Sequence, residues 1–378
     1  LDPVKKRRSI FQAVIRWVTM SGIRILIILV ALSLTACSSK PLIPWSSDSP
    51  PQVLVPIAEA GIDDQRGRFR EVFCAVLDSK GEEWPDYRPC EEALTRVGTE
   101  PPGTGQPVSL GKSQKKVLML IVPGVGWECI ENWLDIDQSL QDLLNSYGFE
   151  AELLDVDGLS SSANNARQIK EFIDATPPEL QEHEIVLIGY SKGSPDILEA
   201  VVNYPELSER VAAVISVAGA VGGSPLANTA EQKDLNIMTH FPDSTCSEGD
   251  GGALDSLRPS TRRAWLANNT LPPEIAYYSL VTYPKPEQMS SVLKGSYEKL
   301  SKVDARNDSQ VIYHDQMIPN STLVGFVNAD HWAIAVPVAR SHTYLGRTFV
   351  DKNSFPREAL FEALLRFVEE DLTEKTTD

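Results

Sequence analysis

Residues 184–200, EIVLIGYSKGSPDILEA, set one serine between two glycines at the end of an apolar run. Ile185 to Ile188 have the character of a strand buried on both faces, and the residues after Ser191 have helical character. Gly189 and Gly193 remove side chains that would collide in a tight strand-to-helix turn, and Pro195 suits a first helical turn. A serine there becomes a useful nucleophile only when a base takes its proton. The histidines are His183, His240, His314, His331 and His342. His183 stands too close, at the entrance of the same strand. His331, in VGFVNADHWAIAVP, follows the last strand-like run, where a loop residue can return to the serine; His342 is the reserve. A carboxylate must then hold the imidazole tautomer and stabilise the imidazolium. Asp304, Asp308 and Asp315 all qualify by lying between serine and histidine. Asp308 precedes His331 by 23 residues, which leaves room for a strand to return, whereas Asp315 precedes it by a tighter 16. Asp330 adjoins His331 and would struggle to fold back onto its ring. Asp308 is preferred to Asp315.

Acyl chemistry at Ser191 also requires donors for a tetrahedral oxyanion. One is the backbone N–H of Lys192. The other is expected from VPGVGWEC (122–129), whose glycines let the backbone approach a substrate, with Val125 the best-placed donor. The Lys192 side chain is expected to point into solvent and to have no chemical part. Trp127, Trp133, Trp265 and Trp332 are available to line an acyl pocket.

These residues need a scaffold that gathers strand ends. From residue 117 apolar runs alternate with helical patterns. Strands are expected at Val117–Val122, in FEAELLDV, at Ile185–Ile188, in VAAVISVAG, in EIAYYSLVTY and in STLVGFVNA. Helices are expected around 130–146, in SANNARQIKEFIDA, at 195–204 and in PREALFEALLRFVEEDL. Such alternation predicts an α/β fold with a doubly wound, mostly parallel sheet, whose sites gather at the carboxyl ends of the strands. Residues 117–378 form this domain, and 226–272 are an excursion long enough to be a cap insertion. Ahead of it lie a small N-terminal segment and linker, 56–116, with one helix around QRGRFREVFCAVL, and a Ser/Pro-rich tether, 37–55.

The 378-residue chain has a formal net charge of -17, and residues 1–36 are themselves basic, so the remainder is still more acidic. No basic run follows residue 40, which disfavours nucleic acid as a partner. KKRR (5–8), an apolar run from Ile25 to Leu34 and the small residues before Cys37 describe an export signal over 1–36. The run is too short for a stable membrane span. Met20 would open a signal of more usual length than Leu1. Four further cysteines in an exported chain imply two disulfides: Cys74 and Cys90 flank a turn-like stretch and are paired, leaving Cys129 with Cys246. Metal-ligand spacing is lacking, so no metal or cofactor is expected, and EGDGG (248–252) reads as a flexible surface loop.

Two resemblances follow from these motifs. Leu34-Thr35-Ala36-Cys37 resembles the lipobox of bacterial lipoproteins, which implies a lipidated Cys37. With Ser38 after it, the resemblance implies a cell-envelope protein, anchored in the outer membrane facing the periplasm where the source has two membranes. VLIGYSKG, NDSQV and NADHWA, in that order, resemble the α/β-hydrolases, and among them the bacterial triacylglycerol lipases and serine esterases. Residues 253–283 and VAGAVGGSPLA (217–227) are similar to segments of the same lipases. The resemblance spans 117–372 in outline. It implies Ser191 as nucleophile, Asp308 as acid, His331 as base, and Val125 with Lys192 as oxyanion donors. Two departures stand out: Pro123-Gly124 replaces the usual His-Gly, and Ser309 stands where glycine is common. The implied function is a membrane-anchored hydrolase of small-molecule or lipid carboxylic esters working through an acyl-enzyme. An envelope acyltransferase with the same triad, or a non-catalytic binding lipoprotein of this fold, are the alternatives.

Overall fold

The computed structural model describes residues 61–375 apart from 114, 132–143, 145, 146, 232–234, 236 and 241–245. The stretches expected to be an export signal and a tether, with Cys37, Trp133 and most of the helix expected around 130–146, lie outside the described residues. No described helix is long and apolar enough to cross a membrane.

Seven strands form one sheet in the order β1-β7-β6-β5-β4-β2-β3. They are β1 (Asp63–Asp64), β2 (Val117–Val122), β3 (Glu150–Leu153), β4 (Glu184–Tyr190), β5 (Val211–Val217), β6 (Ala276–Thr282) and β7 (Thr322–Val327). Every pairing is parallel. Because successive strand residues face opposite sides, the apolar runs feed two cores. Met119, Val186, Ile188, Ala213 and Ile215 turn to one face, whereas Leu118, Leu120, Ile185, Leu187 and Val214 turn to the other. The first face is covered by α1 (Arg66–Lys80) and the closing helix α5 (Arg357–Lys375), through Phe69, Phe73, Leu364 and Phe367. On the second face lie α2 (Ser162–Asp174) and α3 (Gly193–Asn203), through Ile169, Ile173, Ile197 and Val201. Burying each such side chain contributes about 1.5–3 kcal/mol.

The chain winds outward from β2 to β3 and then returns to the other side of β2 with β4, after which β5, β6 and β7 continue in that direction. The sheet therefore reverses between β2 and β4, and the crevice at their carboxyl ends is where α/β sheets bind ligands. Val125 follows β2 and Ser191 follows β4.

Residues 61–116 join the same sheet. β1 pairs with the edge of β7, and α1 lies against β7 and α5. The Cys74–Cys90 disulfide ties α1 to the short helix Cys90–Ala93, as the spacing predicts. Closing a loop of that length contributes about 3 kcal/mol.

The 226–272 excursion carries α4 (Pro259–Asn268) and, ahead of it, the short helix Ala253–Leu257. Cys246 is bonded to Cys129, the pairing expected by elimination, so the excursion is tied covalently to the turn after β2. EGDGG is a surface loop with a definite attachment. The Asp250 carboxylate accepts hydrogen bonds from the Ser161 N–H (2.7 Å) and Ser161 Oγ (2.5 Å), at the N-cap of α2. Burial works to raise the Asp250 pKa, but the Ser161 and Gly252 hydrogen bonds prevail and hold it below the usual carboxylate range. Cys246→Ser in oxidising buffer is expected to lower the thermal midpoint and broaden the range of esters accepted, read by thermal unfolding and a panel of graded p-nitrophenyl esters.

Candidate active site

β4 ends at Tyr190, and the chain turns so sharply that Ser191 adopts a positive φ of 55°. A left-handed backbone at a non-glycine residue costs of order 1–3 kcal/mol, so neighbouring contacts must hold it. They do: the Ser191 N–H donates to the Val217 carbonyl, and its own carbonyl accepts from the Ala220 N–H (2.9 Å) and the Ser194 N–H (3.2 Å). The flanking glycines are required by close approach. A Cβ on Gly193 would lie 2.1 Å from the Val122 carbonyl oxygen, and one on Gly189 would lie 2.6 Å from the Ser194 backbone. α3 begins at Gly193, two residues before Pro195.

Ser191, His331 and Asp308 meet in one hydrogen-bonded line. His331 Nδ1 is 2.7 Å from Asp308 Oδ2 and His331 Nε2 is 2.9 Å from Ser191 Oγ. An ionised carboxylate only accepts, so Nδ1 carries the imidazole proton and Nε2 is left to accept from the serine hydroxyl. Asp308 is fully buried, and Ser191 retains 9% exposure. Asp308 is itself held from several sides. Its Oδ1 accepts the Gln310 N–H (2.9 Å) and Val311 N–H (2.8 Å), and its Oδ2 accepts from Thr282 Oγ1 and from Gln316 Nε2 (3.3 Å). The histidine loop is pinned as well: the His331 N–H donates to the Asp308 carbonyl, and the Tyr190 hydroxyl donates to the His331 carbonyl (2.8 Å). Tyr190 thus connects the serine turn to the histidine loop, a link the motif alone did not suggest.

The other acidic candidates have different places. Asp304 forms a two-pronged pair with Arg306. Asp330 accepts from the Ser290, Trp332 and Ala333 N–H groups and so shapes the loop that presents His331. Asp315 is buried against Gly222, and its Oδ2 has no hydrogen-bond partner among the described residues. Burial raises its pKa to about 7. Its neighbour His314 is pushed down to about 4 by burial and so offers no positive charge at neutral pH. Unfolded aspartate titrates near 4, so between about pH 4 and 7 the native protein keeps a proton that the unfolded chain has lost. This group therefore subtracts stability as pH rises across that window. Asp315→Asn is expected to be more stable than the wild type at pH 8, by up to about 4 kcal/mol, with the gap closing by pH 4. Denaturant unfolding at the two pH values measures it.

Val125 lies in the turn after β2, half-buried, between Gly124 and Gly126. This turn sits directly on Ser191, since a Cβ on Gly124 would lie 3.0 Å from Ser191 Cβ. Among the described residues, neither the Val125 nor the Lys192 N–H has a hydrogen-bond acceptor. Two unspent backbone donors beside a serine suit a developing oxyanion. The Lys192 side chain, however, does not reach solvent. It is fully buried, with Nζ 3.0 and 2.8 Å from the two Asp196 carboxylate oxygens. Pairing with a carboxylate four residues on, itself about 1% exposed, holds the ammonium inside the protein.

Trp127 and Trp332 pack with Tyr190, Ile130, Val336, Val338 and Val350 in one apolar cluster beside the serine turn. Trp265 does not join them: it belongs to the core on the α2 and α3 face, under the Arg262 guanidinium (4.6 Å). The described Glu128, Cys129 and Cys246 ligand atoms lie close together, but both sulfurs are spent in the disulfide.

No protein-family model matches the chain, and no curated protein matches it. Solved structures do. A metagenomic carboxyl esterase is 41% identical, with a TM-score of 0.79, over 88% of this chain and 100% of its own. The mature form of a lipase from Bacillus licheniformis is 18% identical over 60% of this chain and 89% of its own, with a TM-score of 0.48. EstA from Clostridium botulinum is 14% identical over 78% of this chain and 98% of its own, with a TM-score of 0.47.

Proposed function

The chain belongs to the carboxyl esterases of the α/β-hydrolase fold, and from that premise we propose that it cleaves carboxylic esters through a Ser191–His331–Asp308 triad and an acyl-enzyme. The observation that carries this reading is the hydrogen-bonded line from Ser191 Oγ through the imidazole to a fully buried Asp308.

In the first half-reaction His331 Nε2 takes the hydroxyl proton as Ser191 Oγ bonds to the ester carbonyl carbon. The carbonyl π pair moves onto oxygen, where the Val125 and Lys192 N–H groups receive it. The imidazolium is stabilised by Asp308, which hydrogen bonds from Gln310, Val311, Thr282 and Gln316 hold in orientation. Collapse of the intermediate breaks the carbon–oxygen bond to the alcohol, which leaves with the proton from Nε2. Water then repeats the sequence: Nε2 takes its proton, hydroxide bonds to the acyl carbon, and the acid departs as Ser191 recovers its hydrogen. No metal or cofactor enters any step.

The substrate is a small-molecule or lipid ester whose apolar part lies against the cluster of Trp127, Trp332 and Val336. The Leu34-Thr35-Ala36-Cys37 motif supports anchoring at a bacterial envelope membrane through a lipidated Cys37. Globomycin-sensitive processing of the precursor tests that part.

The catalytic reading is tested by treating the protein with a fluorophosphonate and mapping the adduct by peptide mass spectrometry. One phosphonyl group on the peptide holding Ser191 is expected. An unlabelled active protein, or an adduct elsewhere, would overturn the reading.

A further inference from the structure

The residue after the nucleophile is a lysine, and its side chain is wholly withdrawn from water into a charged network. Lys192 and Asp196 are both about 1% exposed. Asp196 Oδ2 also accepts a hydrogen bond from Asn165 Nδ2 (2.8 Å), an amide from α2 that is itself fully buried. Three buried polar side chains thus join the first turn of α3 to α2. Removing two charges from water costs several kcal/mol each, and apolar residues of similar volume would serve the core equally well. Stability alone does not account for the arrangement.

Its position does. Lys192 is the N-cap of α3, and its N–H is one of the two unspent backbone donors beside Ser191. The first N–H groups of a helix have no partner within it, so their direction is set by whatever fixes the first turn. Here the turn is fixed at both ends of one side chain: the Lys192 backbone at the nucleophile, and its ammonium clamped by Asp196 four residues on. Asn165 in turn holds Asp196, and the Ser194 Oγ donates to the Gly189 carbonyl (2.7 Å), closing the same turn against β4.

We propose that Lys192, Asp196 and Asn165 are positioning residues, a buried clamp that aims the Lys192 N–H at the transition-state oxyanion. This rests on the Ser191 acyl-enzyme reading. The clamp touches no substrate; it acts through the backbone donor. A donor displaced by a fraction of an ångström forfeits transition-state binding while leaving ground-state binding nearly intact.

The test uses Lys192→Met with Asp196→Asn in one protein. Both charges go together, so no unpaired charge is buried, and the new amide still accepts from Asn165. The expected result is a folded enzyme with KM within about threefold of wild type and kcat lower by ~10- to 100-fold. The inhibition constant of a trifluoromethyl ketone, which captures serine as an oxyanionic hemiketal, should weaken by the same factor. A folded double variant with wild-type kcat, or with a lower kcat and an unchanged inhibition constant, overturns the proposal. If the double variant does not fold, Asn165→Ala decides, because it leaves both charges in place. A fall in kcat matched by the ketone supports the clamp, and no change in either overturns it. A wild-type protein that neither binds the ketone nor is phosphonylated at Ser191 defeats instead the reading beneath it.

Discussion

Ser191→Ala is expected to lower kcat by about 10^5- to 10^6-fold, with KM for a p-nitrophenyl ester little changed. The alanine removes one oxygen from a turn whose backbone is held by other groups, the Val217 carbonyl and the Ala220 and Ser194 N–H groups. The fold and the apolar cluster beside it should survive. His331→Ala is expected to cost about as much, and the double variant hardly more, because serine and imidazole act as one unit. Additive losses in stopped-flow or steady-state assays would mean that the 2.9 Å contact between them is not used as a proton path.

The second large effect belongs to the acid. Asp308→Asn preserves shape but can present an N–H to the imidazole, which then takes the wrong tautomer and offers Ser191 a donor in place of an acceptor. A loss of ~10^4-fold in kcat is expected, reduced at high pH. Asp315→Asn, by contrast, should leave kcat within a few-fold of wild type. Steady-state kinetics on the two variants, made side by side, separates the two carboxylates. Equal losses would contradict the assignment. The sign of the stability effect differs as well, because Asp315 is a buried group pushed up to about 7 that the fold would be steadier without.

Much of this molecule can be read from one dimension. The buried strands announce themselves as apolar runs, and all six strands expected from residue 117 onward lie within about three residues of their observed limits. The order of serine, acid and histidine follows from strand-end positions, and the structure brings Ser191, Asp308 and His331 together. Chain length prefers Asp308 to Asp315 only weakly; in the structure Asp308 Oδ2 stands 2.7 Å from His331 Nδ1, whereas Asp315 is packed against Gly222. β1 was invisible because two aspartates carry no alternation, and a strand that short exists only where β7 offers an open edge. The burial of the Lys192 side chain escapes the sequence for a different reason. Lysine is almost never fully buried unless paired, so a solvent-facing side chain is the natural expectation. The one available signal was the four-residue spacing to Asp196, which usually marks a surface pair. Asn165, which completes the network, comes from another helix and leaves no trace at that spacing.

The pairing of β1 with β7 bears on where this protein can be cut. A chain begun at residue 117 would keep Ser191, Asp308 and His331, yet β7 would become an edge strand with a bare row of N–H and C=O groups. Phe69, Phe73 and Val76 would also leave the face of the sheet that α5 shares, uncovering Val324 and Phe367. Such a fragment has an open template for pairing with a second copy beside an exposed apolar patch, the combination that drives aggregation. The leading segment is thus a guard on the catalytic sheet's own edge, and shortening the protein to its chemistry would exchange an esterase for a precipitate.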